Sequence, residues 1–231
     1  PIYGTLIEAG ELNSRGLVTQ DWDDVSFGAD FDEAPTVFSQ IQTLNGAQYA
    51  DTRQRRTDAN GFQVGMEEEE RLNEGAHARE NIGWVAMSPG RGQWDGNDYF
   101  ARTTGERFDQ TWNNFSFTNN IDSQPQLLAQ LASYTGSDPA NLRYRNLNAN
   151  DVEFKVQEDQ SEDRETTHSN ESVSVLALEG EGLLTGEEAE TTPTGEEMGE
   201  VGSINNLGDS PQTIQLEGNY DNPVVFVQPP S

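Results

Sequence analysis

WDDVSFGADFDEAPTVFSQIQT (residues 22–43) and WNNFSFTNNIDSQPQLLAQLAS (residues 112–133) are one segment written twice. Trp22 and Trp112, Phe27 and Phe117, Pro35 and Pro125, and Gln40 and Gln130 coincide at an offset of 90. Self-similarity at a fixed spacing makes every local motif part of a repeated unit, so the repeat has to be read before any single residue. The offset continues through DTRQRRTDANGFQVGMEEEE (51–70) and NLRYRNLNANDVEFKVQEDQ (141–160), pairing Arg53 with Arg143, Arg55 with Arg145, Phe62 with Val152 and Glu68 with Glu158. After one inserted residue, HARENIGWVAM (77–87) matches HSNESVSVLAL (168–178), and the chain's two histidines become one position seen twice. A third copy begins in TIQLEGNYDNPVVFVQPPS (213–231), with Pro223 and Gln228 aligned to Pro35 and Gln40 and Ser231 falling where Thr43 and Ser133 lie. That copy is cut about halfway, just after the apolar run Val224, Val225, Phe226, Val227.

Inside each unit the period is two. Phe62, Val64 and Met66 share one face against Gln63 and Gly65, and Val152, Phe154 and Val156 do the same against Glu153 and Lys155. Turn signals at Asn45-Gly46, Asn60-Gly61 and Thr135-Gly136 divide these runs at strand-like spacing. The one helix-like stretch, PQLLAQLASY, is identified as a strand by its match to PTVFSQIQT. The expectation is an all-β chain of tandem antiparallel six-stranded β-sandwiches of about 90 residues each. The first spans 1–90 and the second 91–180; 181–199 reads as an acidic linker, and 200–231 as the first half of a third, incomplete repeat. The unpaired apolar end predicts either a fragment of a longer array or completion of the third sandwich by strands of a neighbouring chain.

Composition narrows the function. Asp and Glu number 41 against 13 Lys and Arg, a net charge of −28, and the only lysine is Lys155. Such a surface repels nucleic acid and anionic lipid. It suits high salt, where screening reduces self-repulsion. No stretch approaches the roughly 20 apolar residues of a membrane helix, and without cysteine there is no disulfide, thiolate metal site or cysteine nucleophile. The start at Pro1 reads as a processed protein or a fragment. Two sequons, at Asn114 and Asn170, would permit glycosylation on export.

The order GTLIEAGEL, W..VSF, P.VF.Q, TR.R, GF.V, H and GW.A resembles the H-type lectin domain, which also occurs as tandem copies in microbial surface proteins. The likeness covers residues 3–88, 99–179 and, for the first half only, 196–231. It implies a six-stranded antiparallel sandwich, often trimeric, that holds galactose-type or amino sugars between neighbouring subunits. By the resemblance, the sugar-holding strand arginine corresponds to Arg53 and Arg143. The family's aromatic and histidine would fall near residues 72 and 73 and near Asp163, positions that carry no ring.

The candidate carbohydrate-binding residues are therefore Arg53, Arg55 and His77 in the first unit and Arg143, Arg145 and His168 in the second. Each arginine pair alternates along one strand face and offers forked donors to sugar hydroxyls or carboxylates. The competing assignment is an ion pair with the acidic runs at 67–70 or at Glu158 and Asp159. Each histidine offers a pH-sensitive ligand contact or, alternatively, a turn residue bonded to backbone. One histidine per repeat without cysteine falls short of a zinc set, and no metal site is assigned. The acidic loops at 21–33, 67–70 and 158–163 carry calcium-type oxygens without a calcium-loop pattern, and read as solvated surface. Trp22, Trp84 and Trp112 read as core; Trp94 and Tyr99 read as linker residues. No nucleophile, base and orienter stand together, so no enzyme is expected; no cofactor is assigned, with calcium at the acidic loops left open. Two functions remain open at this level. One is an extracellular adhesion protein whose tandem lectin-like domains bind cell-surface glycans or sibling subunits by avidity. The other is a spacer or subunit of an extracellular filament or virion fibre that has lost sugar binding.

Overall fold

Alternating side chains take opposite faces of a strand, and in the computed structural model the alternating runs of the first repeat become six strands. They are β1 (Ile7–Ser14), β2 (Asp23–Ser26), β3 (Thr36–Ile41), β4 (Ala50–Asp58), β5 (Gly61–Glu68) and β6 (Glu80–Met87). The second repeat supplies β7 (Gly90–Trp94), β8 (Asn97–Thr103), β9 (Asn113–Ser116), β10 (Gln126–Leu131), β11 (Ala140–Arg145), β12 (Asp151–Glu158) and β13 (Val173–Leu178). A short pair, β14 (Gly182–Thr185) and β15 (Glu197–Val201), follows. The structure describes residues 5–72, 75–94, 96–117, 121–185, 197–208 and 210–228.

Strands β1-β6-β3 and β2-β5-β4 form two antiparallel sheets in the first unit. They enclose a core made by Val37 from β3, Phe62, Val64 and Met66 from β5, and Ile82, Trp84 and Ala86 from β6. The rings of Phe62 and Trp84 meet edge to face at 5.8 Å, the geometry that aromatic quadrupoles favour. The second unit repeats the plan with sheets β10-β13-β8-β7 and β11-β12-β9. Its core holds Phe115, Leu127, Val152, Phe154, Val156, Val173 and Val175. Burying each such side chain contributes roughly 1.5–3 kcal/mol. The protein is all-β: the described residues hold one 3-10 turn, Glu70–Leu72, and no α-helix. No helix among them is long and apolar enough to cross a membrane.

Several expectations need correction. The acidic stretch 181–199 is not simply a linker, because it contains β14, which pairs antiparallel along β15 from Gly182 opposite Val201 to Thr185 opposite Glu197; residues 186–196 lie outside the described set. This hairpin follows the second unit as β7 and β8 follow the first, where Arg91 lies opposite Phe100 and Trp94 opposite Asn97. Trp94 and Tyr99 are accordingly buried with Met87 and Leu178 in a small core of their own rather than loose in a linker. Trp22 and Trp112, read as core, sit half-buried on an outer sheet face under arginines. Val224 to Val227 join no ladder; the backbone of Val225 and of Val227 bonds instead to glutamine side chains described below. The alignment of Ser231 falls outside the described residues.

Candidate functional site

The end of β5, the loop after β3 and the start of β6 converge on His77. Its Nδ1 lies 2.6 Å from Glu68 Oε1 and its Nε2 3.4 Å from Glu80 Oε1. Glu80 in turn accepts from Thr43 Oγ1 (2.5 Å) and from the backbone N–H groups of Asn45 (2.8 Å) and Gly46 (2.7 Å). Burial raises the Glu80 pKa, but these donors and the His77 charge lower it more, so it falls below its ordinary value. The second unit builds the same cage. His168 Nδ1 meets Glu158 Oε1 at 2.9 Å and Nε2 meets Glu171 Oε1 at 3.2 Å. Glu171 accepts from Ser133 Oγ, from Thr135 N–H (3.0 Å) and from Gly136 N–H (3.4 Å). All six side chains of the two Glu–His–Glu clusters are buried. Neither histidine is the backbone-bonded turn residue expected, and the runs at 67–70 and 158–163 are not purely solvated, since Glu67, Glu68 and Glu158 are buried. A buried imidazole between carboxylates satisfies charge that would otherwise be costly to bury.

Among the described residues, Glu171 has one partner that Glu80 lacks. Arg53 reaches across from the first unit, donating from Nη2 to Glu171 Oε1 (3.1 Å) and to the Ser133 carbonyl (3.1 Å), and from Nη1 to Glu67 Oε2 (2.8 Å). Glu67 also accepts the N–H of Ala140 from the second unit at 3.1 Å. Arg53 is only 2% exposed. Its guanidinium lies 5.1 Å from the Tyr134 ring centre, Tyr134 meets Trp22 edge-on at 5.2 Å, and Arg55 stacks 4.0 Å from Trp22. Burial opposes the Arg53 charge, and Glu67 and Glu171 more than offset it. For Glu171, burial is outweighed by the His168 hydrogen bond, the Arg53 charge and the Ser133 and Thr135 donors, and its pKa drops to about 2. Burial also pulls His168 down, while its bonds to Glu171 and Glu158 carry it above its ordinary value.

A third set of contacts uses glutamine. Gln130 forks onto the backbone of Ser39, accepting its N–H at 2.8 Å and donating to its C=O at 3.0 Å. A side-chain amide has the donor and acceptor of a peptide group, so it joins strands too far apart for a ladder. Gln40 forks in the same way onto Val227, accepting at 2.8 Å and donating at 3.5 Å. Gln228 accepts the N–H of Ala129 at 3.2 Å. These contacts surround a cavity of about 490 Å³ whose lining includes Asp51, Asn141 and Arg143.

The six residues expected to bind sugar thus separate. Arg53, His77 and His168 are buried among protein partners, and Arg55 is half-buried against Trp22. Arg143 and Arg145 face solvent, with Arg143 donating to Gln157 (2.9 Å) and Arg145 to Glu153 (2.9 Å). Arg145 and Lys155 lie 4.3 and 5.1 Å from the ring centre of Trp112. Asn114 and Asn170 are exposed. Residue 73, near the family's aromatic position, lies outside the described residues. Among the described residues no group of three or more His, Asp or Glu side chains is placed to hold a metal ion. Sequence reading passed over Glu80 and Glu171, although His-x-x-Glu recurs at 77–80 and 168–171 beside the matched pair Glu68 and Glu158.

Comparison with known proteins finds a similarity to halomucin from Haloquadratum walsbyi (strain DSM 16790 / HBSQ001), 28% identical over 190 residues. The match covers 79% of this chain and 2% of halomucin. No family model matches, and no solved structure matches.

Proposed function

We propose that this chain is a non-catalytic structural segment of a large extracellular surface protein working in high salt, built from lectin-like six-stranded sandwiches. The observation that carries this reading is Arg53, the match to the family's sugar-holding arginine, at 2% exposure with its donors directed to Glu67, Glu171 and Ser133. Joining repeats has taken the place of holding sugar there. The setting is supported by the −28 charge, whose self-repulsion is screened within about 3 Å at 1 M salt, and by the likeness to a protein named halomucin.

Glycan binding is the second reading, and one observation favours it: Arg143 and Arg145 are exposed on one strand of an otherwise acidic chain, and Arg145 and the half-buried Lys155 lie over Trp112. A glycan array probed with the full chain in molar salt separates the two. Silence across the array is the expected result. Specific binding lost in both Arg143→Ala and Arg145→Ala would overturn the structural reading in favour of a lectin.

A further inference from the structure

The glutamine contacts run in a circle. Each joins a glutamine of one repeat to the residue just before the matching glutamine of another: Gln130 to Ser39, Gln228 to Ala129, and Gln40 to Val227. In repeat terms the second unit grips the first, the third grips the second, and the first grips the third. A head-to-tail contact that returns to its start after three steps defines a closed ring. The segment 222–228 is seated in that ring. Gln42 forks onto Val225 at 2.9 Å in both directions, Asn222 Nδ2 donates to Glu11 (3.0 Å), and Gly83 leaves room for Val224, whose Cγ1 lies 2.3 Å from where a Cβ would stand.

Two faces of the ring are incomplete relative to the joint between the first and second units. On the second unit, Arg143 has the position of Arg53 but is exposed, and it stands directly opposite Lys155. Facing cations repel, and on a chain of net charge −28 this pair calls for a carboxylate. On the first unit, Leu44 has the position of Tyr134 and is 90% exposed, while Glu80 has every contact of Glu171 except a guanidinium. Between these faces Val225 and Val227, whose matches Leu127, Ala129, Val37 and Ser39 are buried, stand 47% and 42% exposed.

We propose that these faces together form the docking surface for the second half of a third repeat, carried on the same polypeptide as segment 222–228. Its Ser/Thr-x-x-Gly loop and His-x-x-Glu carboxylate close on Arg143 as Ser133 and Glu171 close on Arg53. Its β4-type arginine reaches Glu80, and its apolar strand face covers Val225 and Val227. The cavity beside Arg143 is the axial part of that seat. Repeats of this type then assemble in closed threes within one chain, and a long array becomes a string of rings.

The test appends a copy of residues 134–178 to Ser231, so that Ser231 takes the place of Ser133, and a second version appends residues 44–87 instead. Hydrogen exchange and thermal melting are compared with the 231-residue chain. The expected result is at least tenfold slower exchange at Val225 and Val227 in an extended chain. There Arg143→Ala lowers Tm by roughly 6 °C or more, against 2 °C or less in the unextended chain. The proposal is overturned if both extensions leave Val225 and Val227 as fast as before, whether folded or not, or if Arg143→Ala acts alike with and without them. Self-association of the unextended chain that protects the same amides, read by light scattering, would assign the face to a second copy and also overturn it. Neither result depends on glycan binding, so the surface-protein reading is tested separately.

Discussion

Arg53 and Arg143 hold the same position on matched strands, β4 and β11, yet one is 2% exposed and the other faces solvent. The same split separates Tyr134, packed between Arg53 and Trp22, from Leu44 at 90% exposure. Part of the difference is local: Arg53 lies opposite Gly65 and bonds Glu67, whereas Arg143 lies opposite Lys155 and bonds Gln157. Place in the array supplies the rest: the outer face of β4 and β5 meets the next repeat, while the face of β11 and β12 has no described repeat beyond it. A residue's role here is set by which neighbour it touches.

The widest gap between the units is expected from removing each arginine. Arg53→Ala leaves Glu67 and Glu171 buried without their cation, a loss of about 3–5 kcal/mol for a broken buried pair. Arg143→Ala removes an exposed side chain with one hydrogen bond to Gln157, and surface changes of that kind stay within about 0.5 kcal/mol. Denaturant midpoints in constant molar salt compare the two. Equal effects would show that Arg53 adds nothing beyond what its strand position provides.

Acid titration opens a smaller gap. The Glu171 pKa is depressed, so its contribution is complete above the ordinary carboxylate value of 4.5 and is lost as pH falls toward about 2. For a shift of that size the loss is on the order of 3 kcal/mol. His168 is raised, so its contribution is complete below 6.5 and is lost as pH rises through its folded value. Glu171 and His168 together favour the window between about pH 4.5 and 6.5, and Glu67, raised by burial, works against it, because its contribution is lost as pH rises through its folded value. Arg53→Ala should make the acid limb shallower, because Arg53 is one of the groups holding Glu171 down. Thermal melts from pH 2 to 9 at fixed salt measure both limbs. A His168→Gln chain that still weakens above pH 6.5 would place the alkaline limb elsewhere.

The strands were legible because Phe62, Val64 and Met66 alternate and because the 90-residue offset checks each run against a second copy. The offset also turned PQLLAQLASY from an apparent helix into β10. The cages were not legible as cages. Glu68, His77 and Glu80 come from three places in the chain, and an acidic run such as EEEE looks like solvated surface until Glu68 closes on His77 and the second unit covers Glu67 on the opposite face. Arg53 was found but its role was not, since its partner Glu171 lies 118 residues away in the next repeat. Gln40, Gln130 and Gln228 were aligned as repeat markers, and only the packing of three units gives those amides a purpose.

The smallest expected gap between the units lies at the glycines of the cage loop, and it tells the cage from the joint. A Cβ on Gly46 would stand 2.5 Å from His77 Cε1, and one on Gly136 2.4 Å from His168 Cε1. Neither ring can retreat without breaking bonds to its two glutamates, so Gly46→Ala and Gly136→Ala should each cost about 1–3 kcal/mol, and nearly the same amount. What differs is coupling. Moving His168 disturbs Glu171, which Arg53 also holds, so Gly136→Ala combined with Arg53→Ala should cost less than the sum of the two. Gly46→Ala combined with Arg143→Ala should be additive, because no described contact links Glu80 to that arginine. A double-mutant cycle in each unit, read by denaturant midpoint, gives both numbers. Additivity in the second unit would mean that cage and joint are independent devices sharing one carboxylate, whereas coupling there and none in the first unit would show the joint to be built upon the cage.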